Sequence, residues 1–501
     1  MAALFTHHVD FTPADADTLL RAIPAAPGVF SLRGAPAADG TPAEPYITRT
    51  ADLRRRLRRL LAPPEALDDA GNPVLSKRLN LRDRVRFIDY TRTGSDFEST
   101  LLLYHASRLA FGPDQARKRL RLHTPYLIRV TMQAAHPRAY VTNKLSKKSL
   151  AESFGPFPSR AAAERYCDAV LDLFKLRRCY EDLEPYPDHP GCVYGEMNKC
   201  LMPCKEGNPV ACTPAEYAAE ATRVLAFFTT RGQSLLDDIA TQREAASEAM
   251  DFETAAAHHK QWEKVRAATL LSDELVRPIT ELRALILQQS APPADDTPHD
   301  SAAVFLFANG HLTTPAMLST LGVRAVREQT AVGSSLFAQP LMLAPVPLDA
   351  PSNAVISTEA KRSGEIPALG TTTTLSPEDR ARTVIDTLTT NTTQPAPIDE
   401  FCDALSLFRR WYYRPEKQRP GEVFLPNTDG TWPIRRILNG AARIVLGPPA
   451  EAAPVDREAA KALKTRIIHS GREGVEREVP VLPKRTRSRK ALTPTDIPTD
   501  N

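Results

Sequence analysis

The strongest constraint on how this chain can fold is a run of four cysteines in a turn-rich segment. Cys179, Cys192, Cys200 and Cys204 follow the spacing C-x12-C-x7-C-x3-C, and the last pair encloses Leu-Met-Pro. Four thiolates gathered in one short segment can hold a metal centre, and structural zinc is one candidate. A metal would hold together residues 179–212, which contain little apolar material of their own. The alternative is a set of free thiols.

Composition restricts the class of protein without naming a function. Of the 501 residues, 42% are hydrophobic and 25% are charged, which is ordinary for a globular chain. The formal net charge of +4 is small, so binding to a polyanion has to come from local basic patches. No window approaches the roughly eighteen consecutive apolar residues of a membrane span, and the N-terminus lacks the pattern of a signal peptide. We therefore expect a cytoplasmic protein with no membrane contact, whose cysteines bind metal rather than form disulfides.

Hydrophobic periodicity and turn residues divide the chain into segments of different character. The order α-β-β-α-β-α near the N-terminus predicts a small three-stranded sheet with helices. The chain as a whole is predicted to be an α/β (α+β) multidomain protein. Its predicted segments are a sheet domain 12–112, a strand and helix extension 113–178, the cysteine-rich segment 179–212, helices 213–270 with a hairpin at 232–268, a linker 271–300, a mixed α/β region 301–455 and a charged, disordered tail 456–501.

A strongly basic helix is predicted over residues 51–61. Arginines that point round most of a helix can neutralise a phosphate backbone, giving salt-sensitive affinity with little sequence information. The alternative is a solvated helix face. The predicted DNA-binding residues are Arg49, Arg54, Arg55, Arg58 and Arg59.

The segment 232–270 predicts two helices broken at Met250-Asp251. Small residues at helical spacing allow two antiparallel helices to approach closely, and Phe252 at the turn can pack over them. The predicted contact residues are Ala246 and Ala249 on one arm and Phe252, Ala255 and Ala256 on the other.

Several motifs occur in one order along the first half of the chain. They are Gly28-Val29-Phe30, Tyr46-Ile47-Thr48-Arg49, Asp52-Leu53-Arg54-Arg55-Arg56-Leu57 and Leu101-Leu102-Leu103. In order and spacing they resemble the GIY-YIG nuclease domain of the UvrC family, the nuclease component of excinuclease ABC. The resemblance continues through the Phe-Gly-Pro-Phe-Pro segment at 154–158, the cysteine run and the hairpin, and so covers about residues 14–270.

The resemblance implies a cofactor and two partners. It implies an iron–sulfur cluster at the four cysteines, with zinc as the alternative metal. The hairpin is similar to the UVR motif, by which UvrC pairs with UvrB, another component of the excinuclease. DNA and UvrB are therefore the implied partners.

The departures from the family concern the catalytic positions. Tyr46 and Arg56 match the family's motif, but Phe30 stands where the family has a tyrosine hydroxyl. Tyr104 stands where the family has its metal-binding glutamate, and Mg²⁺ or Mn²⁺ prefers carboxylate oxygen. Glu98 could replace that glutamate only if the helix were re-registered. We therefore expect a weakened or lost nuclease site, with Mg²⁺ or Mn²⁺ bound only if the site is active.

After residue 290, no segment resembles the RNase H-like domain or the helix-hairpin-helix repeats of the family. The sequence thus predicts a protein of nucleotide excision repair that binds DNA and an excinuclease partner. One alternative is an active metal-dependent endonuclease that makes a single incision, similar to short UvrC homologues. Another is a non-enzymatic regulator that competes for UvrB.

Overall fold

The computed structural model describes residues 4–36, 43–61, 79–209, 211–291, 300–323 and 375–446, and the backbone of 465–470 and 475–480. The chain divides into two compact units, Met1–Leu446 and Gly447–Asn501. Among the described helices, none combines the length and the apolar character needed to cross a membrane. The mixture of helices and antiparallel sheets confirms the predicted fold class.

The N-terminal region forms a sheet flanked by helices. Its elements are β1 (His7–Asp10), α1 (Ala16–Ala22), β2 (Gly28–Arg33), β3 (Tyr46–Thr50), α2 (Leu53–Leu61), β4 (Phe87–Arg92), α3 (Asp96–Phe111) and α4 (Pro113–Leu120). The antiparallel strands lie in the order β1-β4-β2-β3, so the sheet has four strands and not the predicted three. The added strand β1 lies at the sheet edge, and its residues alternate between half-buried and exposed, which leaves only a weak hydrophobic pattern.

The second region holds another antiparallel sheet and the helical hairpin. Its strands are β5 (Tyr126–Val130), β6 (Ala139–Thr142), β7 (Ser153–Phe157) and β8 (Arg277–Pro278), in the order β6-β5-β7-β8. Its helices are α5 (Arg160–Leu171), α6 (Val193–Glu196), α7 (Pro214–Thr229), α8 (Gln233–Glu248) and α9 (Phe252–Thr269). Short 3₁₀ turns lie at Leu150–Glu152, Pro203–Lys205 and Ile279–Glu281.

The third region is a five-stranded sheet covered by helices. Its elements are β9 (Ala284–Gln289), β10 (Ser301–Ala308), β11 (His311–Leu312), β12 (Ala316–Ser319), α10 (Pro377–Thr390), α11 (Ile398–Tyr412), a 3₁₀ turn Glu416–Gln418, β13 (Glu422–Phe424) and α12 (Ile434–Leu446). The order is β11-β10-β9-β13, with β12 also paired to β10. The predicted linker 271–300 therefore contains a buried strand, because the apolar run Ala284–Gln289 pairs on both sides.

Helix α3 joins the first and third regions through a shared core. Leu102 and Leu103 pack toward the N-terminal sheet, whereas Phe97, Leu101 and Tyr104 pack with β9, β10 and α11. The predicted boundary at residue 112 is thus not a boundary between separate cores. An apolar helix with two buried sides has to be covered on both.

In the unit Gly447–Asn501, the described residues form an antiparallel strand pair, β14 (Thr465–Ser470) and β15 (Val475–Pro480). These strands correct the expectation of a disordered tail over 456–501, over their own length. Both carry β-branched residues, which favour extended backbone.

Candidate nucleic-acid interface

Helix α2 is amphipathic, and its leucines fix which side faces the sheet. Leu53, Leu57, Leu60 and Leu61 are buried in the core with β2 and β4. The Asp52 side chain accepts a hydrogen bond from the backbone N–H of Arg55 at 2.8 Å and so caps the helix start. The arginines are left on the remaining surface.

The five arginines of α2 separate into two groups. Arg54 Nε donates to the Ile23 carbonyl at 2.6 Å, and Arg56 Nη2 donates to the Tyr46 hydroxyl at 3.3 Å. Arg55, Arg58 and Arg59 are exposed, and among the described residues their side chains have no hydrogen-bond or ion-pair partner. These three positions, i, i+3 and i+4, lie on one side of the helix. We call them the arginine face.

Arg49, also predicted to bind DNA, is exposed but has intramolecular partners. Its guanidinium pairs with the Asp96 carboxylate and donates to the Thr100 hydroxyl at 3.0 Å. Asp96 also accepts from Arg414 Nη1 at 2.7 Å. A guanidinium held in this way is less available to a phosphate than those of the arginine face.

Three of the predicted catalytic residues lie together on the α2 side of the sheet. Phe30 is fully buried, and its ring centre is 6.3 Å from that of Tyr46. Tyr46 in turn accepts the hydrogen bond from Arg56. A hydroxyl and a guanidinium at this spacing can orient a phosphate but supply no metal ligand.

Glu98 lies in the first turn of α3, which Ser95 caps, and its carboxylate binds the chain just before the helix. Its Oε2 accepts a hydrogen bond from the backbone N–H of Gly94 at 2.7 Å, while Ser95 Oγ accepts from the N–H of Glu98 at 3.1 Å. Burial raises the pKa of the Glu98 carboxyl, and the bond from Gly94 only partly offsets this. No hydrogen bond or ion pair among the described residues joins Glu98 to Tyr46 or Arg56.

Tyr104 lies in the core that α3 shares with α11 and is 2% exposed. Its hydroxyl donates to Asp403 Oδ2 at 3.1 Å and accepts from Arg108 Nη1 at 3.3 Å. Burial, followed by the charge of Asp403, raises the pKa of Tyr104 to about 12. The position implied for a metal ligand therefore holds α11 against α3.

The sheet itself separates Tyr104 from the Tyr46–Arg56 pair. Successive residues of a strand point to opposite faces. Phe30 packs on the α2 side, while Val29 and Ile47 pack on the α3 side. Among the described residues, no three His, Cys, Asp or Glu side chains form a group that could hold a metal ion. The structure thus brings Phe30, Tyr46 and Arg56 together and leaves Glu98 and Tyr104 elsewhere.

The four cysteines of the run occupy one turn-rich segment. Cys192 precedes α6, Cys200 Sγ accepts from the Met202 N–H at 3.3 Å, and Cys204 is buried in a 3₁₀ turn. Burial raises the pKa of Cys200 to about 12, and the charges of Cys192, Cys179 and Cys204 add to the effect. Four thiols suit zinc or an iron–sulfur cluster chemically. As the described side chains stand, however, they do not form such a group.

The hairpin of α8 and α9 is anchored at its base and exposed at its tip. Leu235, Ile239, Val265 and Ala268 are buried, whereas Ala246 and Ala255 are half-buried and Ala249 and Ala256 are exposed. Phe252 is 68% exposed and Met250 is 78% exposed. Phe252 therefore does not pack over the alanines as expected, since most of its side chain is exposed.

Sequence reasoning missed the acidic residue that joins the regions. Asp403 is 2% exposed, and Arg117 Nε donates to its Oδ1 at 2.8 Å. A signal was present, because Asp403 lies one helical turn before the apolar Leu407 and on the same side of α11. A carboxylate on the buried side of a helix requires a partner.

Comparison with known proteins shows which part of this chain is similar to other proteins. Residues 125–227 match the family model described as "UvrC/Cho excinuclease, middle domain", which covers strands β5 to β7, the cysteine segment and most of α7. UvrABC system protein C of Haemophilus ducreyi is 28% identical over 254 residues, 50% of this chain and 38% of that protein. The same protein of Actinobacillus succinogenes is 29% identical over 253 residues, 50% of this chain and 38% of that protein.

UvrABC system protein C of Escherichia coli is 27% identical over 255 residues, again 38% of its own length. The chain therefore matches well under half the length of these relatives. No solved structure matches it. The predicted resemblance to UvrC is confirmed.

Proposed function

We propose that this protein works in nucleotide excision repair by binding DNA and docking an excinuclease partner, with a nuclease site that is weak or lost. The observation that carries the proposal is the arginine face, exposed beside a Tyr46–Arg56 pair to which no carboxylate of the described residues is hydrogen-bonded. The similarity to UvrABC system protein C supports the repair setting. A protein that acts on DNA in this way would work in the cytoplasm.

The arginine face supports binding to a nucleic-acid backbone. Arg55, Arg58 and Arg59 are unpartnered among the described residues and share one side of α2. On duplex DNA, the logarithm of the binding constant falls with the logarithm of the salt concentration. Each phosphate that is neutralised makes this slope steeper by about 0.9. Contacts of this kind give affinity without reading the base sequence.

The site geometry argues against efficient hydrolysis. Metal-assisted cleavage of a phosphodiester needs carboxylates that hold a divalent cation near the attacked phosphate. The Glu98 carboxylate accepts from the Gly94 N–H, and the Tyr104 hydroxyl binds Asp403. The Tyr46–Arg56 pair is then suited to hold a phosphate in place.

The hairpin tip supports docking of a protein partner, for which UvrB is the proposed identity. Met250 and Phe252 are exposed on a tip whose base is packed into the second region. An exposed aromatic residue on a rigid support is a typical anchor of a protein interface. Replacing Phe252 by alanine removes that anchor without removing a core contact.

A metal at the four cysteines is part of the proposal. Its test is metal content together with visible absorbance of the purified protein. We expect iron and a coloured protein, or zinc and a colourless one, with loss of the metal in Cys200→Ser. Cys402→Ser is the matched control, since Cys402 lies on α11 outside the cysteine run. A metal-free native protein would contradict this part.

The experiment that tests the function is incision of a damaged DNA duplex with Mg²⁺ or Mn²⁺, in the presence of the other two proteins of the UvrABC system. We expect DNA binding and UvrB binding but little or no cutting that depends on this chain. Arg56→Ala tests the paired site, and Arg435→Ala on α12 is a control arginine that is 87% exposed.

The outcomes separate the alternatives. Cutting that disappears in Arg56→Ala and persists in Arg435→Ala would establish an active endonuclease instead. Binding to UvrB without binding to DNA would favour a regulator that competes for that partner. Binding to neither would overturn the proposal.

A further inference from the structure

A cavity of about 730 Å³ lies between the second and third regions, away from α2. Its wall includes Arg231, from the turn between α7 and α8, and Arg277 of β8. Arg419, which follows the 3₁₀ turn after α11, and Arg436 of α12 complete a set of four arginines. The carboxylates in the same wall are those of Glu274 and Asp429. Among the described residues that line this space, arginines therefore outnumber carboxylates.

Two of the arginines carry buried donors that nothing in the described part of the chain satisfies. The Nε atoms of Arg231 and Arg277 are both buried and have no hydrogen-bond partner there. Arg277 does use Nη2, which donates to the Glu274 carbonyl at 3.0 Å. Buried N–H groups in folded proteins are nearly always paired, so an unpaired one calls for an explanation such as a missing ligand.

The charges of these two arginines are also poorly compensated. Burial, together with the nearby charge of Arg231, lowers the pKa of Arg277, and the attractions of Glu274 and Glu281 are too weak to reverse this. The Asp429 carboxylate accepts from the Thr431 N–H and hydroxyl at 3.0 Å and 2.7 Å. An anion between the two guanidiniums would relieve their repulsion.

The backbone at Arg231 is consistent with a built site. Arg231 has φ of 56°, and Gly232 follows with φ of 88°. A left-handed conformation is unfavourable for a residue with a β-carbon, and such residues cluster at binding sites. The Gly232 position admits no side chain, because a β-carbon would come within 2.4 Å of Thr269.

We infer that this cavity binds a ligand bearing a phosphate group, held between the guanidiniums of Arg231 and Arg277. Planar guanidinium donors match the oxygens of a phosphate better than any other side chain does. The volume is that of a pocket for a small organic molecule and exceeds what a bare phosphate needs. Val423, Phe424 and Leu425 supply an apolar wall for the rest of such a ligand.

A free nucleotide and the phosphorylated end of a nucleic-acid strand share this chemistry. The cavity uses no residue of the arginine face, so the inference stands apart from the proposed function. Adenosine 5′-monophosphate, adenosine and inorganic phosphate are the small probes. A short single-stranded oligonucleotide with a 5′-phosphate, and the same strand with a 5′-hydroxyl, are the strand probes.

The experiment is calorimetric titration of the full chain with each probe. The test variant is Arg231→Gln with Arg277→Gln, which removes the charges at nearly constant volume and also removes their repulsion. We expect the phosphate-bearing probes to bind at least tenfold more weakly to this variant, and adenosine to bind neither protein. Arg435→Gln is the matched control, because Arg435 lies on α12 but pairs with Glu378 at 3.1 Å.

The source of the phosphate follows from which probes bind. Binding of the mononucleotide alone indicates a free nucleotide, and binding of the phosphorylated strand but not its hydroxyl form indicates a strand end. Arg277→Lys, which keeps the charge and loses the planar fork, should weaken binding without changing the thermal unfolding midpoint. Binding of no probe, or equal binding to the double variant and the native protein, would overturn the inference.

Discussion

Helices α2 and α11 share one sequence feature, an adjacent arginine pair, and differ in what those arginines do. Both are amphipathic and both contain an adjacent arginine pair, Arg58-Arg59 in α2 and Arg409-Arg410 in α11. In α2 the pair is exposed and has no partner among the described residues. In α11, Arg409 Nε donates to the Phe157 carbonyl at 3.2 Å. The first pair is available to a ligand, and the second is part of the fold.

The difference comes from which backbone ends lie nearby. The last carbonyls of a helix have no partner within the helix. Arg410 donates to two such groups at the end of α4, Leu120 O at 3.0 Å and Arg121 O at 2.6 Å. A cluster of arginines in the sequence therefore indicates a nucleic-acid surface only where no unpaired backbone carbonyl lies near enough to bind them.

The largest effect should come from the joint that α11 makes with α3 and α4. Asp403→Ala leaves the Tyr104 hydroxyl and the Arg117 guanidinium without their buried acceptor. We expect the free energy of unfolding to fall by about 2–3 kcal/mol, measured by urea denaturation.

Asp399→Ala is the control on the same helix. Asp399 is 77% exposed, and its Oδ1 lies 3.8 Å from Arg117 Nη2. Its replacement should therefore lower the free energy of unfolding by less than about 1 kcal/mol. Equal losses from the two variants would mean that α11 is held by apolar packing alone.

The second effect concerns DNA affinity and should be confined to α2. Replacing Arg55, Arg58 and Arg59 together by glutamine should weaken binding to a duplex by at least about tenfold at low salt. The slope of log K against log salt should also become shallower by about 1 for each arginine removed. Fluorescence anisotropy over a salt series measures both.

A second triple variant, Arg160, Arg382 and Arg435 to glutamine, changes the net charge by the same amount at exposed positions elsewhere. It should leave affinity nearly unchanged. Equal weakening in the two triple variants would show that overall charge, and not the arginine face, controls binding.

Features determined by neighbours in sequence could be predicted. The leucine spacing of α2 is local, and so are the Ser159 cap of α5 and the capping box of Thr213 and Glu216 that starts α7. The break of the hairpin at Met250 and Asp251 is also local, since Asp251 caps α9 by accepting from the Thr254 N–H at 3.1 Å. The leucine spacing determines the buried side of α2, and the caps satisfy backbone N–H groups of their own helices.

Features determined by distant pairing could not be predicted. Tyr104 and Asp403 are 299 residues apart in sequence, so nothing near either one indicates the other. The edge strand β1 pairs with β4 across some eighty residues and has little apolar pattern of its own. Strand β9 was missed for a different reason, since its apolar run lies beside the Pro-rich stretch 291–299 and was grouped with it.

A smaller effect on the free energy of unfolding should distinguish Arg410 of α11 from Arg59 of α2. Arg410→Ala leaves the Leu120 and Arg121 carbonyls without a donor, and we expect a loss of about 1–2 kcal/mol in the free energy of unfolding. Arg410→Lys should restore little, because an ammonium cannot span both carbonyls as the planar fork does. Arg59→Ala on α2 should change stability by no more than about 0.5 kcal/mol.

The smallest effect concerns Arg49, which is exposed like the arginines of α2 but has a partner within the chain like those of α11. Arg49 is paired with Asp96, which also binds Arg414 near the end of α11. Asp96→Asn should release Arg49 and raise DNA affinity about twofold, since an exposed ion pair contributes about 0.5 kcal/mol. The gain should disappear at high salt, where such charges are screened. Asp96→Glu keeps the charge and should leave affinity unchanged. If Asp96→Asn lowers stability but leaves DNA affinity at its native value, Arg49 belongs with the arginines of α11 as a structural group.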